Sequence, residues 1–149
     1  MYSLENLSEA DLTKIAEHLS PLISSPLPLC LWGNLGAGKT TFCRALIRAL
    51  CPQVTEVPSP TFTLIQEYES PLGTIWHCDL YRLDMPEEAE ELGLIEALYQ
   101  HICLIEWPER LGHFLPKNRL DLHLKIGADL SRNLTLQCQG AVKIDFCHL

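Results

Sequence analysis

The 149-residue chain has no Cys-x-x-Cys pair, no lysine between Lys39 and Lys117, and no apolar run long enough to cross a bilayer. Each absence removes a class of protein. Spanning needs about 20 consecutive apolar residues. The opening MYSLENLSEADL lacks a basic stretch followed by an apolar core, so no secretory signal is read and a cytoplasmic address is expected. Seven cysteines, at 30, 43, 51, 78, 103, 138 and 147, are an odd number without zinc-ligand spacing. Cys30 in PLCLW and Cys103 in HICLIEW sit in apolar runs, where cysteine acts as a small hydrophobe. Reduced core thiols are therefore expected. The scarcity of basic side chains excludes a further class. A net charge of −8, with six arginines that do not cluster, leaves no large face for DNA or RNA. Any service to nucleic acid would pass through a partner.

What is present reads as one globular α/β domain over residues 1–149. Hydrophobic content is 47% with 20% charged residues, and there is no repeat, low-complexity tract or linker. Ser8 followed by Asp11 approximates a capping box, and Leu12, Ile15, Ala16 and Leu19 then share one helical face. Pro21, Pro26 and Pro28 end that helix and lead into LCLW, a short buried strand. KTTFCRALIRAL reads as a second helix with Phe42, Leu46, Ala49 and Leu50 toward a sheet. TFTLIQEYES and TIWHCDLY, joined by SPLG, read as a hairpin. MPEEAEELG starts a helix near Pro86 whose glutamates form a solvated face, or alternatively a docking surface. ICLIEW has the look of a central strand covered on both faces. RLDLHLKIG and NLTLQCQ alternate strictly, which points Leu120, Leu122, Leu124, Ile126, Leu134, Leu136 and Cys138 inward. A mixed parallel and antiparallel sheet flanked by helices follows, not a purely parallel one.

The chemistry begins between the first strand and the second helix. GNLGAGKT fits Gly-x-x-x-x-Gly-Lys-Thr, with Gly33, Gly38, Lys39 and Thr40 at the fixed positions. Across Asn34, Leu35, Gly36 and Ala37 such a backbone turns its N–H groups onto a phosphate, at a helix N-terminus whose dipole favours an anion. Lys39 reaches the β- and γ-phosphates, and the Thr40 hydroxyl ligates Mg²⁺. Thr41 is placed for the α-phosphate. A chance glycine-rich turn would not fall between a strand and a helix in this way.

A phosphate loop needs a further acid to organise the metal, and Glu106 ends the buried run ICLIE. Asp79 in WHCDLYRL ends another apolar strand. Either acid could hold metal-bound water or orient the attacking water. Asp79 reads equally as a structural acid paired with Arg82, and Glu106 as an exposed acid at a strand end. In VPSPTFTL two prolines stiffen the approach to Thr61, whose hydroxyl could sense a γ-phosphate or Mg²⁺. On the residues alone Trp107 is either core or an aromatic beside the nucleotide, and core is the reading favoured. Lys39 is expected to face solvent in a preformed loop.

GNLGAGKTTFCRAL, SPTFTLIQEY, HCDLYRL and ICLIEWPE, in this order and spacing, resemble the TsaE (YjeE) family. The blocks spread over roughly the whole chain, and SRNLTL also fits. The resemblance implies a P-loop ATPase needed to form threonylcarbamoyladenosine beside the tRNA anticodon, working with TsaD and TsaB and using ATP/ADP with Mg²⁺. It makes Lys39 and Thr40 the phosphate and Mg²⁺ residues, Glu106 an acid of the Mg²⁺ site, and Asp79 an acid required for hydrolysis. Thr61 becomes part of a switch-like segment, Trp107 a neighbour of the site, and Arg132 an arginine at the nucleotide end. Asn34 stands where many members have Asp, and Ala45 where many have Gly. Contact with tRNA would be indirect, through the partner complex.

Rival readings use the same loop. A small-molecule or nucleoside kinase usually closes an arginine-rich lid, which six scattered arginines do not supply. A GTPase would need Asn-Lys-x-Asp or Asp-x-x-Gly, and neither string occurs. A nucleotide-gated binding module without useful turnover would use the same residues as an ATPase.

Overall fold

The computed structural model describes every residue except Phe62. Phe62 of the expected TFTLIQEYES strand lies outside the described residues, and the expectation is corrected at its start: Thr61, Thr63 and Leu64 are turn and bend, and the strand begins at Ile65. The chain runs β1 (Tyr2–Leu7), α1 (Glu9–Leu19), β2 (Leu27–Trp32), α2 (Lys39–Leu50), β3 (Ile65–Ser70), β4 (Gly73–Asp79), α3 (Glu87–Glu91), α4 (Leu94–Ala97), β5 (Ile102–Glu106), β6 (Arg119–Ile126) and β7 (Arg132–Gln139). Short 3₁₀ turns occupy Ser20–Leu22, Pro108–Phe114 and Ala128–Leu130.

The strands form one seven-stranded sheet in the order β1-β7-β6-β2-β5-β4-β3. β6, β2, β5 and β4 are mutually parallel, while β1, β7 and β3 join antiparallel. The sheet is mixed, as the sequence implied. β2 and β5 carry almost unbroken apolar runs because helices cover both faces at the centre. On one face α1 and α2 pack over Leu29, Leu31, Leu104 and Leu122. On the other, α3, α4 and the Pro108–Phe114 turn cover Cys30, Cys78, Cys103 and Ile105.

α1 forms where the sequence places it. Ser8 Oγ accepts from the Asp11 N–H, and the Asp11 carboxylate accepts from the Ser8 N–H. Its buried residues are Leu12, Ile15, Ala16 and Leu19. One element carries no signal in the sequence, and two local expectations are corrected. Tyr2–Leu7 is a strand, held by β7 from the far end of the chain. Ile126 is 48% exposed, because it closes β6 at the sheet rim where nothing covers it. Ala49 is only half-buried, and Cys43, Ala45 and Ile47 share the covered face of α2 instead.

The registers set the site. Leu31 of β2 lies opposite Glu106 of β5, and Glu106 lies opposite Asp79 of β4. Three parallel strands therefore end side by side, with the 33–38 loop, Glu106 and Asp79 along one edge. Ligands of open α/β sheets bind at such carboxyl ends.

Candidate functional site

Residues 33–38 leave β2 and turn into α2 through two glycines whose backbones demand it. Gly33 has φ +157°, and a Cβ there would stand 2.6 Å from the Leu124 carbonyl oxygen of β6. Gly38 has φ +104° and caps α2 without any side-chain acceptor. The first bond into the helix runs from the Phe42 N–H to the Gly38 carbonyl. The N–H groups of Lys39, Thr40 and Thr41 precede it and point out of the helix end, where the dipole is positive. This is an anion cradle.

Arg132 at the start of β7 holds the outside of that loop. Its Nε donates to the Ala37 carbonyl at 3.0 Å and one terminal nitrogen to the Gly36 carbonyl at 3.1 Å. The other donates to the Leu130 carbonyl. Arg132 thus grips backbone and lines the cavity from its rim.

Lys39 differs from the expectation of a solvent-facing lysine, being only 5% exposed. Its ammonium donates to the Gly33 carbonyl and lies 3.2 Å from the centre of the Trp107 ring. Burial pushes its pKa below the usual lysine value, and Glu106, Glu109 and Asp79 pull it back up in part. Trp107 is not core either. It is half-buried, sits at φ +61°, and packs its ring against Tyr81 at 5.0 Å. That backbone conformation is uncommon for a non-glycine residue and turns the indole back over the lysine. The family resemblance placed Trp107 beside the site, and the geometry brings it there.

Glu106 is 2% exposed, so it is not a solvated acid at a strand end. Its Oε1 accepts from the Thr40 hydroxyl at 2.6 Å. Its Oε2 lies 2.8 Å from His77 Nε2. Asp79 is 6% exposed and accepts from the Tyr81 N–H at 3.1 Å and from the Thr61 hydroxyl at 3.3 Å. Thr61 also shares a 2.7 Å hydrogen bond with Ser59. A cavity of about 250 Å³ gathers Lys39, Thr40, Thr61, Asp79, Glu106 and Trp107. Asn34 stands apart, in a separate groove with Trp32 and His123. A larger groove of about 560 Å³ lies between α1, α2 and residues 56–58, and meets the loop at Thr41. It is lined by Arg44, Arg48, Thr13 and three glutamates, whereas the smaller cavity brings together the loop, Lys39 and the two strand-end acids.

The donor set has the character of a magnesium site. The Thr40 and Thr61 hydroxyls and the Asp79 and Glu106 carboxylates line the cavity at a helix N-terminus, and hard oxygen ligands suit Mg²⁺. Its nitrogen-bearing lining residues are the cations Lys39 and Arg132 and the indole of Trp107, none of them a metal ligand. Thr40 and Glu106 would hold it, with Asp79 adjacent.

His77 is the residue that sequence reasoning missed. The signal was a single imidazole inside the otherwise apolar run TIWHC. Asp121, also overlooked, is structural: it accepts from Trp32, Arg119 and Gln139 on the opposite face of β6.

A glycine loop opening a helix, a lysine over it, and an acid ending the adjacent parallel strand define a P-loop NTPase fold. Among solved structures, the chain is similar to that of Bacillus subtilis YdiB, with a TM-score of 0.78 and 30% identity over 93% of this chain and 86% of that one. The family model described as threonylcarbamoyl adenosine biosynthesis protein TsaE matches residues 6–134. The chain belongs to the TsaE family. The tRNA threonylcarbamoyladenosine biosynthesis protein TsaE of Rickettsia bellii is 44% identical over 125 residues, 84% of this chain and 87% of that protein. The protein of the same name from Bacillus subtilis is 40% identical over 114 residues, covering 75% and 70% respectively.

Proposed function

We propose that this chain binds and hydrolyses ATP with Mg²⁺, and that it serves tRNA threonylcarbamoyladenosine formation together with TsaD and TsaB. The observation that carries the nucleotide reading is the 2.6 Å pairing of Thr40 with buried Glu106 at the open end of α2. The buried carboxylate ends β5 beside the loop and is turned toward the hydroxyl in the first turn of α2, where a cation bound with phosphate would offset its burial. The biosynthetic role rests on family membership.

In this reading the N–H groups of Lys39, Thr40 and Thr41 bind the phosphates, and the Lys39 ammonium leaves the Gly33 carbonyl for phosphate oxygens. Thr40 and Glu106 would hold Mg²⁺, which when bound would neutralise phosphate charge. Asp79, already hydrogen-bonded to Thr61, holds or orients the attacking water, and Thr61 couples the 57–64 segment to whatever occupies the cavity. The net charge of −8 opposes contact with a polyanion, which supports action on the TsaB–TsaD complex and not on the adenosine. Nucleotide state resets that complex only by a difference in affinity between its two states.

Calorimetry of the purified protein with ATP and GTP, in Mg²⁺ and in EDTA, tests the site. Lys39→Ala is expected to lose at least about 1.5–3 kcal/mol of ATP binding, the worth of a charge-assisted hydrogen bond. Unchanged ATP affinity in that variant defeats the phosphate-loop assignment. GTP binding as tightly as ATP revives a GTPase, and full stimulation by an acceptor metabolite alone favours a kinase.

A further inference from the structure

β4 is built as an apolar strand, with Ile75 and Cys78 fully buried, yet His77 stands between them with no exposure at all. Its Nδ1 is buried without a hydrogen-bond partner. A buried imidazole with one orphaned nitrogen is a worse packing residue than an apolar side chain of similar size. The other nitrogen explains its presence. Nε2 lies 2.8 Å from Glu106 Oε2, and this is the one hydrogen bond the ring makes among the described residues.

The register shows why it reaches. His77 lies opposite Leu104 and Asp79 opposite Glu106, so His77 is the diagonal neighbour of Glu106 on the same sheet face. Thr40 approaches the carboxylate from α2 and His77 from within the sheet. An ionised carboxylate accepts from both, which assigns the His77 hydrogen to Nε2. Cys43 packs close by, its sulfur within 4.8 Å of the His77 and Glu106 donor atoms. Burial pushes that thiol's pKa well up, so it stays neutral and adds no second charge beside the carboxylate.

We propose that His77 is a positioning residue for the divalent-cation site: by donating Nε2–H to Oε2 it fixes the Glu106 carboxylate so that Oε1 faces Thr40 and the end of α2. This rests on the reading of Thr40 and Glu106 as the pair that holds Mg²⁺. Partners that orient a metal ligand typically change metal affinity by about 10–100-fold when removed. The role is one of geometry, and it needs a donor at the position of Nε2. Glutamine places an amide nitrogen there; asparagine stops short of it, and leucine has no donor.

The test uses the full chain as wild type, His77→Gln, His77→Asn and His77→Leu, each checked for folding by thermal melting. ADP affinity is measured first in EDTA, then Mn²⁺ is titrated into the protein–ADP complex and followed by electron paramagnetic resonance. Metal-free ADP binding is expected to be equal in all the variants. His77→Gln is expected to hold Mn²⁺ close to wild type, while His77→Asn and His77→Leu lose about 10–100-fold. If the leucine variant does not fold, the glutamine and asparagine pair carries the comparison. Equal Mn²⁺ affinity throughout overturns the role of His77 while leaving the nucleotide site standing, and so does a loss in His77→Gln as large as in His77→Asn. Failure of the wild type to bind ADP at all removes the nucleotide site and this role with it.

Discussion

Lys39 is held by the Gly33 carbonyl and the Trp107 ring, and in the proposed function a bound phosphate would compete with these partners. Its type and position were legible in GNLGAGKT, but its burial was not, because no spacing rule places an indole over the loop. Trp107 reaches it through a left-handed residue following β5, a local conformation that the sequence does not announce. The pH dependence follows from the lysine. Desolvation holds its pKa below the ordinary value of 10.5, only partly offset by Glu106, Glu109 and Asp79. Without nucleotide, the unfolded chain binds more protons than the folded one between that lowered pKa and 10.5. Stability from this group is therefore lowest below the folded pKa and rises with pH across that window. Phosphate beside the ammonium raises the pKa again, so the complex holds more protons than the free protein. ATP affinity should accordingly fall as pH climbs through the free-state pKa, with proton uptake on binding. Calorimetry in alkaline buffers of different ionisation enthalpy checks this, and Lys39→Met should abolish the uptake. Uptake that persists in the methionine variant would assign the proton to another group.

At the scale of elements, α1, α2, β2, β5 and the β3–β4 hairpin were legible because each carries its own signal. Those signals are a capping box, a glycine loop, an unbroken apolar run, and two strands around a turn. β1 was not legible. YSLENL has no clean alternation, and the segment is a strand only because β7, more than a hundred residues later, offers it an edge. The same long-range pairing built the Arg132 grip, which joins the start of β7 to the Gly36 and Ala37 carbonyls. His77 went unread for a related reason: its partner Glu106 is on another strand, and only the register brings them together. The loop also depends on a neighbour that sequence does not reveal. Gly33 turns against β6, where an added Cβ would meet the Leu124 carbonyl at 2.6 Å. The clash is with backbone, which has no rotamer to change. Gly33→Ala should therefore cost about 1–3 kcal/mol of stability, the usual penalty for forcing atoms into a packed site. It should also weaken nucleotide binding, since the loop and β6 are pushed apart. Chemical denaturation and ADP titration measure the two effects. A variant as stable as wild type would mean that β6 yields at no cost.

The whole molecule is acidic, thiol-rich and open at its site, and each property has a consequence. Among the cysteines, Cys30, Cys43, Cys51, Cys78 and Cys103 are buried, Cys138 is half-buried and Cys147 is exposed, all of them free. Burial raises the buried thiols, Cys103 to about 12, so few thiolates exist at neutral pH. Iodoacetamide on the native protein should modify Cys147 first, and denaturation should release the rest, as read by intact mass. Rapid native labelling of Cys43 would contradict the packing of α2 on the sheet. The net charge of −8 opposes a polyanion, so bare tRNA should bind weakly. The cavity has a floor but little cationic cover. Lys39 and Arg132 are its cationic lining residues, and the Arg132 guanidinium is already engaged with loop carbonyls. A γ-phosphate there would be open to water and poorly aligned, which makes slow turnover the expectation for the protein alone. Docking on TsaB and TsaD would exclude that water and could add a positive side chain in trans, an effect worth up to about 10³–10⁵ in rate where such residues operate. Steady-state ATPase activity should rise when both partners are added. Multiple-turnover tRNA modification should stop with Lys39→Ala, since a protein that cannot change nucleotide state cannot shift the complex between its states. Modification that proceeds equally well with that variant would sink the reset mechanism and leave the chain a bystander in the complex.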